Sequence, residues 1–179
     1  FQDRVALVHL SPQRFTHAFT VYRQPAVLTL IFLGFSSGLP LALTASTLFV
    51  WLTESGVDKG AIGLFAAIGT PYALKFLWAP LIDRLPAPVL SRVLGHRRGW
   101  ILLIQASLVG AILAMGQVDP TATTQVMAIM ALGVAILSAS QDIVIDAFRV
   151  ESLEERQQAA GAAALVFGYR VGMLVSGAG

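Results

Sequence analysis

Residues 25–52 carry no charged side chain. About 20 mostly apolar residues are enough for one helix to cross a bilayer. The pattern then repeats. Residues 60–82 hold only Lys75, residues 99–118 hold no charge, residues 124–147 hold none before Asp142 and Asp146, and residues 159–179 hold only Arg170. Runs of this length are too long for the core helices of a water-soluble domain. They predict an all-α membrane protein with about five transmembrane helices at those positions, preceded by a lead-in over residues 1–24. Composition agrees, since 56% of residues are hydrophobic and 12% charged, against about 45–50% and about 25% in soluble domains.

Several function classes lose their footing here. A net charge of +2 is too small to mark a nucleic-acid partner. No cysteine is present, so no disulfide framework or thiolate metal site exists. His9, His17 and His96 lie outside the spans with no metal-ligand spacing. No serine in a span has a histidine base, and no glycine loop follows a strand to cradle phosphate. The expectation is a non-enzyme with no cofactor and no metal. Position 1 is Phe, and the fifth run stops at Gly179 without a flanking charge. Both features read as part of a longer polypeptide.

Basic residues retained on the cytoplasmic side set topology. Arg4, Arg14 and Arg23 lie in the lead-in, Arg84, Arg92, Arg97 and Arg98 follow the second run, and Arg149 and Arg156 follow the fourth. The alternate connections, residues 53–59 and 118–124, hold one lysine between them. The lead-in is therefore expected in the cytoplasm. Asp58 is positioned to cap the second span, and Asp119-Pro120 to turn the chain between the third and fourth.

The spans contain weak points. Gly38-Leu39-Pro40 falls within the first and predicts a kink, with Ser36, Ser37 and Thr44 available to satisfy freed carbonyls. Pro71 does the same in the second. Gly168, Gly172 and Ser176 recur every fourth residue in the fifth, a stripe that admits close helix packing. Arg170 lies about 200° around the helix from Gly168, so it faces away from that contact, toward a cavity or an acidic partner.

The buried charges pose the functional question. Counted at about 1.5 Å per residue, Lys75 sits about 6 Å and Asp142 about 9 Å to the cytoplasmic side of their span centres, so an ion pair is geometrically possible. A lone lysine at a helix centre costs about 2.5–3.5 kcal/mol on insertion scales. Asp142, Asp146 and Arg149 are spaced i, i+4, i+7 and share a face. A carboxylate in such a place can alternate between protonated and ionised forms, as proton coupling requires, or form a fixed salt bridge between helices. Arg170 is a candidate anchor for a substrate carboxylate.

"APLIDR" followed by "HRRGW" resembles the loop between helices two and three of the major facilitator superfamily, with Asp83, Arg84, Arg97 and Arg98 in the places of its charged cluster and Arg149 nearby. "GFSSGLPLALT", "PYALKFLWAPLIDR", "SASQDIVIDAFRVE" and "GYRVGMLVSGA" together resemble the AmpG-type anhydromuropeptide permeases of Gram-negative bacteria, from about Ala26 to the end. Acetyl-coenzyme A transporters are relatives that share the Gln141-Asp142-Ile143 stretch. The resemblance implies two six-helix halves in the bacterial inner membrane. It implies proton-driven import of N-acetylglucosaminyl-anhydromuramyl peptides from periplasm to cytoplasm for cell-wall recycling. That cargo is consistent with Arg170 and with aromatic walls such as Tyr72, Trp78 and Tyr169, with Gln141 a further candidate contact, and the expected partners are lipid and the remaining helices. Carriage of another anionic solute such as acetyl-coenzyme A, a membrane enzyme acting on envelope sugars, and a membrane scaffold or sensor are the alternatives.

Overall fold

The computed structural model describes residues 21–58, 60 and 63–177. Apart from residues 21–24, the predicted lead-in lies outside them, as does Lys59. The described residues form helices and turns, with no strand.

Helix α1 (Pro25–Ala42) begins with proline in its first turn, where a missing N–H removes no bond. The helix continues through Pro40 into a wide π turn, Leu43–Thr47, and then α2 (Leu48–Glu54). The distortion expected at Gly38–Pro40 thus falls just after the proline. Hydroxyls bond the carbonyls around it: Thr44 Oγ1 donates to Pro40 O at 2.8 Å and Ser46 Oγ to Ala42 O at 2.7 Å. Ser36 donates to Leu33 O at 2.9 Å, whereas Ser37 is spent elsewhere.

Four helices among the described residues are long and apolar enough to cross a membrane: Pro25–Glu54, His96–Met115, Thr124–Ser152 and Glu155–Gly177. The predicted second span is not one continuous helix. It runs as a 3₁₀ segment Gly63–Gly69, α3 (Thr70–Leu74), a 3₁₀ turn Lys75–Leu77 and α4 (Ala79–Arg84). Two prolines explain the breaks. Pro71 and Pro80 cannot donate to the preceding turn, and each opens a new helical piece instead. At about 1.5–2 Å per residue the pieces still reach roughly 35 Å, beyond the hydrocarbon thickness of about 30 Å.

A short helix α5 (Leu90–Leu94) lies in the loop after the second span. Gly95, at φ 85°, turns the chain into α6 (His96–Met115), so the arginines of "HRRGW" form its first turn. A Cβ on Gly99 would lie 2.8 Å from Ser91 N, which is why α5 can pack against the start of α6. Asp119 accepts bonds from the Thr121 N–H at 2.8 Å and hydroxyl at 2.7 Å, closing the next turn; these bonds hold its carboxyl below the usual carboxylate range. Helix α7 (Thr124–Ser152) outruns its predicted end by more than a turn, and α8 (Gln158–Gly177) follows.

Helix α7 is the central post, burying Met127, Ala131, Val134, Ala135, Ala139 and Val144 completely. Helices α1 and α8 meet backbone to backbone. A Cβ on Gly34 or Gly38 would strike the Leu165 or Tyr169 carbonyl, and one on Gly168 or Gly172 would strike that of Ile31 or Phe35. The predicted stripe on α8 therefore faces a matching pair of glycines on α1. Near the C-terminal end of α8, Thr47 Oγ1 donates to Ser176 O at 2.8 Å.

Gly168→Leu is expected to separate α1 from α8 and to destabilise the folded protein by about 1–3 kcal/mol, the usual cost of overpacking. Gly133→Ala, where nothing lies within 4 Å of the added carbon, should leave stability near wild type. Thermal unfolding of the full-length protein in detergent compares the two.

Candidate functional site

The two charges singled out in the sequence lie together. Lys75 Nζ is 3.8 Å from Asp142 Oδ2, with 36% and 21% of the two side chains exposed. Lys75 begins the 3₁₀ turn between the two proline-led pieces, so the break in the second span aims the lysine at α7. At this distance the pair is an ion pair rather than a hydrogen bond. The hydrogen bond comes from a third element: Ser37 Oγ of α1 donates to Asp142 Oδ1. Ser37, Lys75, Asp142, Asp146 and Tyr169 line a cavity of about 190 Å³, with Gly34 and Leu165 in its wall.

Beside this cluster is a neutral one. Ser36 Oγ accepts from Gln141 Nε2 at 2.9 Å and from Gln105 Nε2 at 3.0 Å, joining α1, α6 and α7. Gln141 is only 1% exposed and does not line the cavity with its neighbour Asp142. Trp78 Nε1 donates to Ser140 Oγ at 3.0 Å, tying the start of α4 to α7. Both side chains brace helices in this structure.

Tyr72, Arg170 and Arg149 do not line this cavity. Tyr72 lines a second, larger and mostly apolar cavity of about 900 Å³ between α2 and the second span; its buried hydroxyl has no hydrogen-bond partner among the described residues. Arg170 is exposed on α8, next to Tyr169 and away from the α1 contact, and makes no ion pair among the described residues. Arg149 Nε is 3.9 Å from Asp146 Oδ1, and its Nη1 donates to Gln158 Oε1 at 3.2 Å.

At the ends of the helices Arg97 is a hub. Its Nη1 donates to Asp83 Oδ1 at 2.6 Å, and its Nη2 to Glu151 Oε1 at 2.7 Å. The fork clamps α4, α6 and α7 together, and a planar guanidinium suits two carboxylates better than an ammonium would. Arg84 and Arg98 are exposed and take no bonded partner among the described residues. Sequence reasoning missed Glu151, Ser37 as a partner of Asp142, and the Ser36–Gln105–Gln141 knot. Glu151 had a legible signal: it lies on the same helix as Asp142 and falls at the same membrane edge as Arg97.

A family model described as acetyl-coenzyme A transporter 1 matches residues 26–126. The chain is 48% identical over 157 residues to the anhydromuropeptide permease of Escherichia coli K12, covering 88% of this chain and 31% of that protein. It is 37% identical to a Rickettsia felis chain carrying the name transporter AmpG 4, over 89% of this chain and 38% of that one. A Rickettsia conorii chain of the same name is 38% identical over 93% and 39%. The chain spans about a third of the length of the curated relatives it matches.

K75A and D142N should each lower the melting temperature, and the double variant should lose less than the sum. A coupling on the order of 1 kcal/mol is expected for a partly exposed pair. The charge-swapped K75D/D142K protein should be more stable than either single swap in the same unfolding measurement.

Proposed function

We propose that the chain, which belongs to the acetyl-coenzyme A transporter 1 family and is 48% identical over 157 residues to an anhydromuropeptide permease, supplies helices of the N-terminal half of a proton-coupled anhydromuropeptide importer of the major facilitator superfamily. The protein is a multi-pass membrane protein of a transporter family. In the proposed role it carries its cargo with protons from periplasm to cytoplasm across a bacterial inner membrane, with its N-terminus in the cytoplasm.

The observation that carries this reading is the meeting of Lys75, Ser37 and Asp142 at one cavity between α1, α7, α8 and the broken second span. A carboxylate there has one cation and one hydroxyl to stabilise its charged form, and apolar surroundings that favour its neutral form. Small changes in the position of Lys75 or in water access then change which form prevails. In this mechanism Asp142 takes a proton from the outer side, Lys75 is released from it, and the pair re-forms as the proton leaves inward. Asp146, on the same face and nearer the cytoplasmic end, stands on the exit side. Arg170 offers the exposed cation for a cargo carboxylate, with Tyr169 and Tyr72 providing aromatic surface for sugar rings.

The family model favours a second reading, a carrier of acetyl-coenzyme A or another anionic thioester. The same exposed Arg170 would then meet phosphate. Competition separates the two: unlabelled anhydromuropeptide, but not acetyl-coenzyme A, should block uptake.

In vesicles holding the full-length protein, uptake of labelled N-acetylglucosaminyl-anhydromuramyl peptide is expected to fall at least tenfold when a protonophore collapses the gradient. Uptake that persists would remove proton coupling. D142N should insert normally and lose gradient-driven accumulation. R170A should raise KM about tenfold while changing the maximal rate less, as expected for a lost charge-assisted contact of about 1.4 kcal/mol.

A further inference from the structure

Asp142 is held in two different ways. Lys75 reaches it from a short 3₁₀ turn at 3.8 Å, with a third of the lysine side chain exposed. Ser37 reaches it from inside α1, is 4% exposed, and hydrogen-bonds it directly. The serine has little freedom. It lies between Gly34 and Gly38, the two residues seated on the backbone of α8, so its position is fixed relative to α8 as well as α1. Its neighbour Ser36 returns its hydroxyl proton to its own helix at Leu33 O; Ser37 sends its proton across to α7.

We infer that Ser37 is a positioning residue, whose hydroxyl holds Asp142 as a charged acceptor and makes the packed α1–α8 pair respond to the charge on α7. A carboxylate can only accept from Ser37. A carboxylic acid keeps some acceptor capacity but is a weaker acceptor than the charged form, so the Ser37 bond is worth more when Asp142 is ionised. The titratable and charged groups around Asp142 are Lys75 and Tyr72 from the second span, Tyr169 and the adjoining Arg170 from α8, and Asp146 from α7 itself. Helix α1 brings none; its contribution at this place is the Ser37 hydroxyl. The link to transport rests on the reading of Asp142 given above; the link between the two side chains does not.

The test uses the full-length transporter in lipid, with infrared spectroscopy following the carboxylic-acid carbonyl band that D142N removes. In S37A that band is expected to appear at a pH about one unit higher than in wild type, because a bond to the charged form has been lost. S37T, which keeps the donor, should match wild type. S37C, a weaker donor, serves in place of S37A if that protein does not assemble. An unchanged midpoint in S37A, or no titrating Asp142 band at any accessible pH, overturns the inference. Uptake is measured on the same samples. A band that moves while the pH profile of uptake stays fixed would keep the role of Ser37 and sink proton coupling through Asp142.

Discussion

A carboxylate among apolar helices is tolerated only if the fold brings it opposite charge or hydrogen-bond donors, and much of this architecture follows from where those come from. Among the described residues Asp142 takes neither a hydrogen-bond donor nor a cation from its own helix. Its donor comes from α1 and its cation from the second span. For the donor to arrive, α1 must lie against α7. For the cation to arrive, the second span must break, because in this structure the turn between Pro71 and Pro80 is what carries Lys75 to α7. The glycine contact between α1 and α8 then fixes the donor in place. One charge thus constrains four segments.

Around it the polar groups fall into two kinds. The Ser36–Gln105–Gln141 knot and the Trp78–Ser140 bond are neutral, part-buried ties between helices. Inside a bilayer such ties are worth modest energy, about 0.6–2 kcal/mol each, but they fix rotation and register. The ionised groups are either at the membrane edge, as in the Asp83–Arg97–Glu151 clamp, or beside the small cavity. The separation matters: neutral ties hold α1, α6 and α7 as a frame, while the cluster beside them is the one whose charge can change.

Several of these features were legible beforehand, for identifiable reasons. The runs were visible because spanning helices must satisfy backbone groups internally and so require long apolar stretches. Lys75 and Asp142 could be placed at one depth because helical rise is nearly constant. The stripe on α8 could be read from its four-residue spacing. What depended on tertiary partners could not. Gly34 and Gly38 have the same spacing as the stripe but sit beside Pro40, whose effect on the backbone is the stronger local signal. Gln141 borders an acidic residue in sequence, yet successive helix positions point about 100° apart, so it meets Ser36 while Asp142 meets the cavity. The segmented course of the second span needed both prolines weighed together, since either alone would only bend a helix.

The wide turn at Leu43–Thr47 has a consequence for reading chains of this kind. Such a turn accommodates one residue more than an α-helical turn does. Beyond it, Leu48 and Leu52 are buried, although an unbroken helical count from Leu33 would turn them about 60° and about 100° from its side. The two halves of this long rod are thus indexed separately. A chain one residue shorter between these points can present the same inner and outer faces in a single unbroken rod, and an alignment that forbids a gap there would assign lipid-facing positions to the interior.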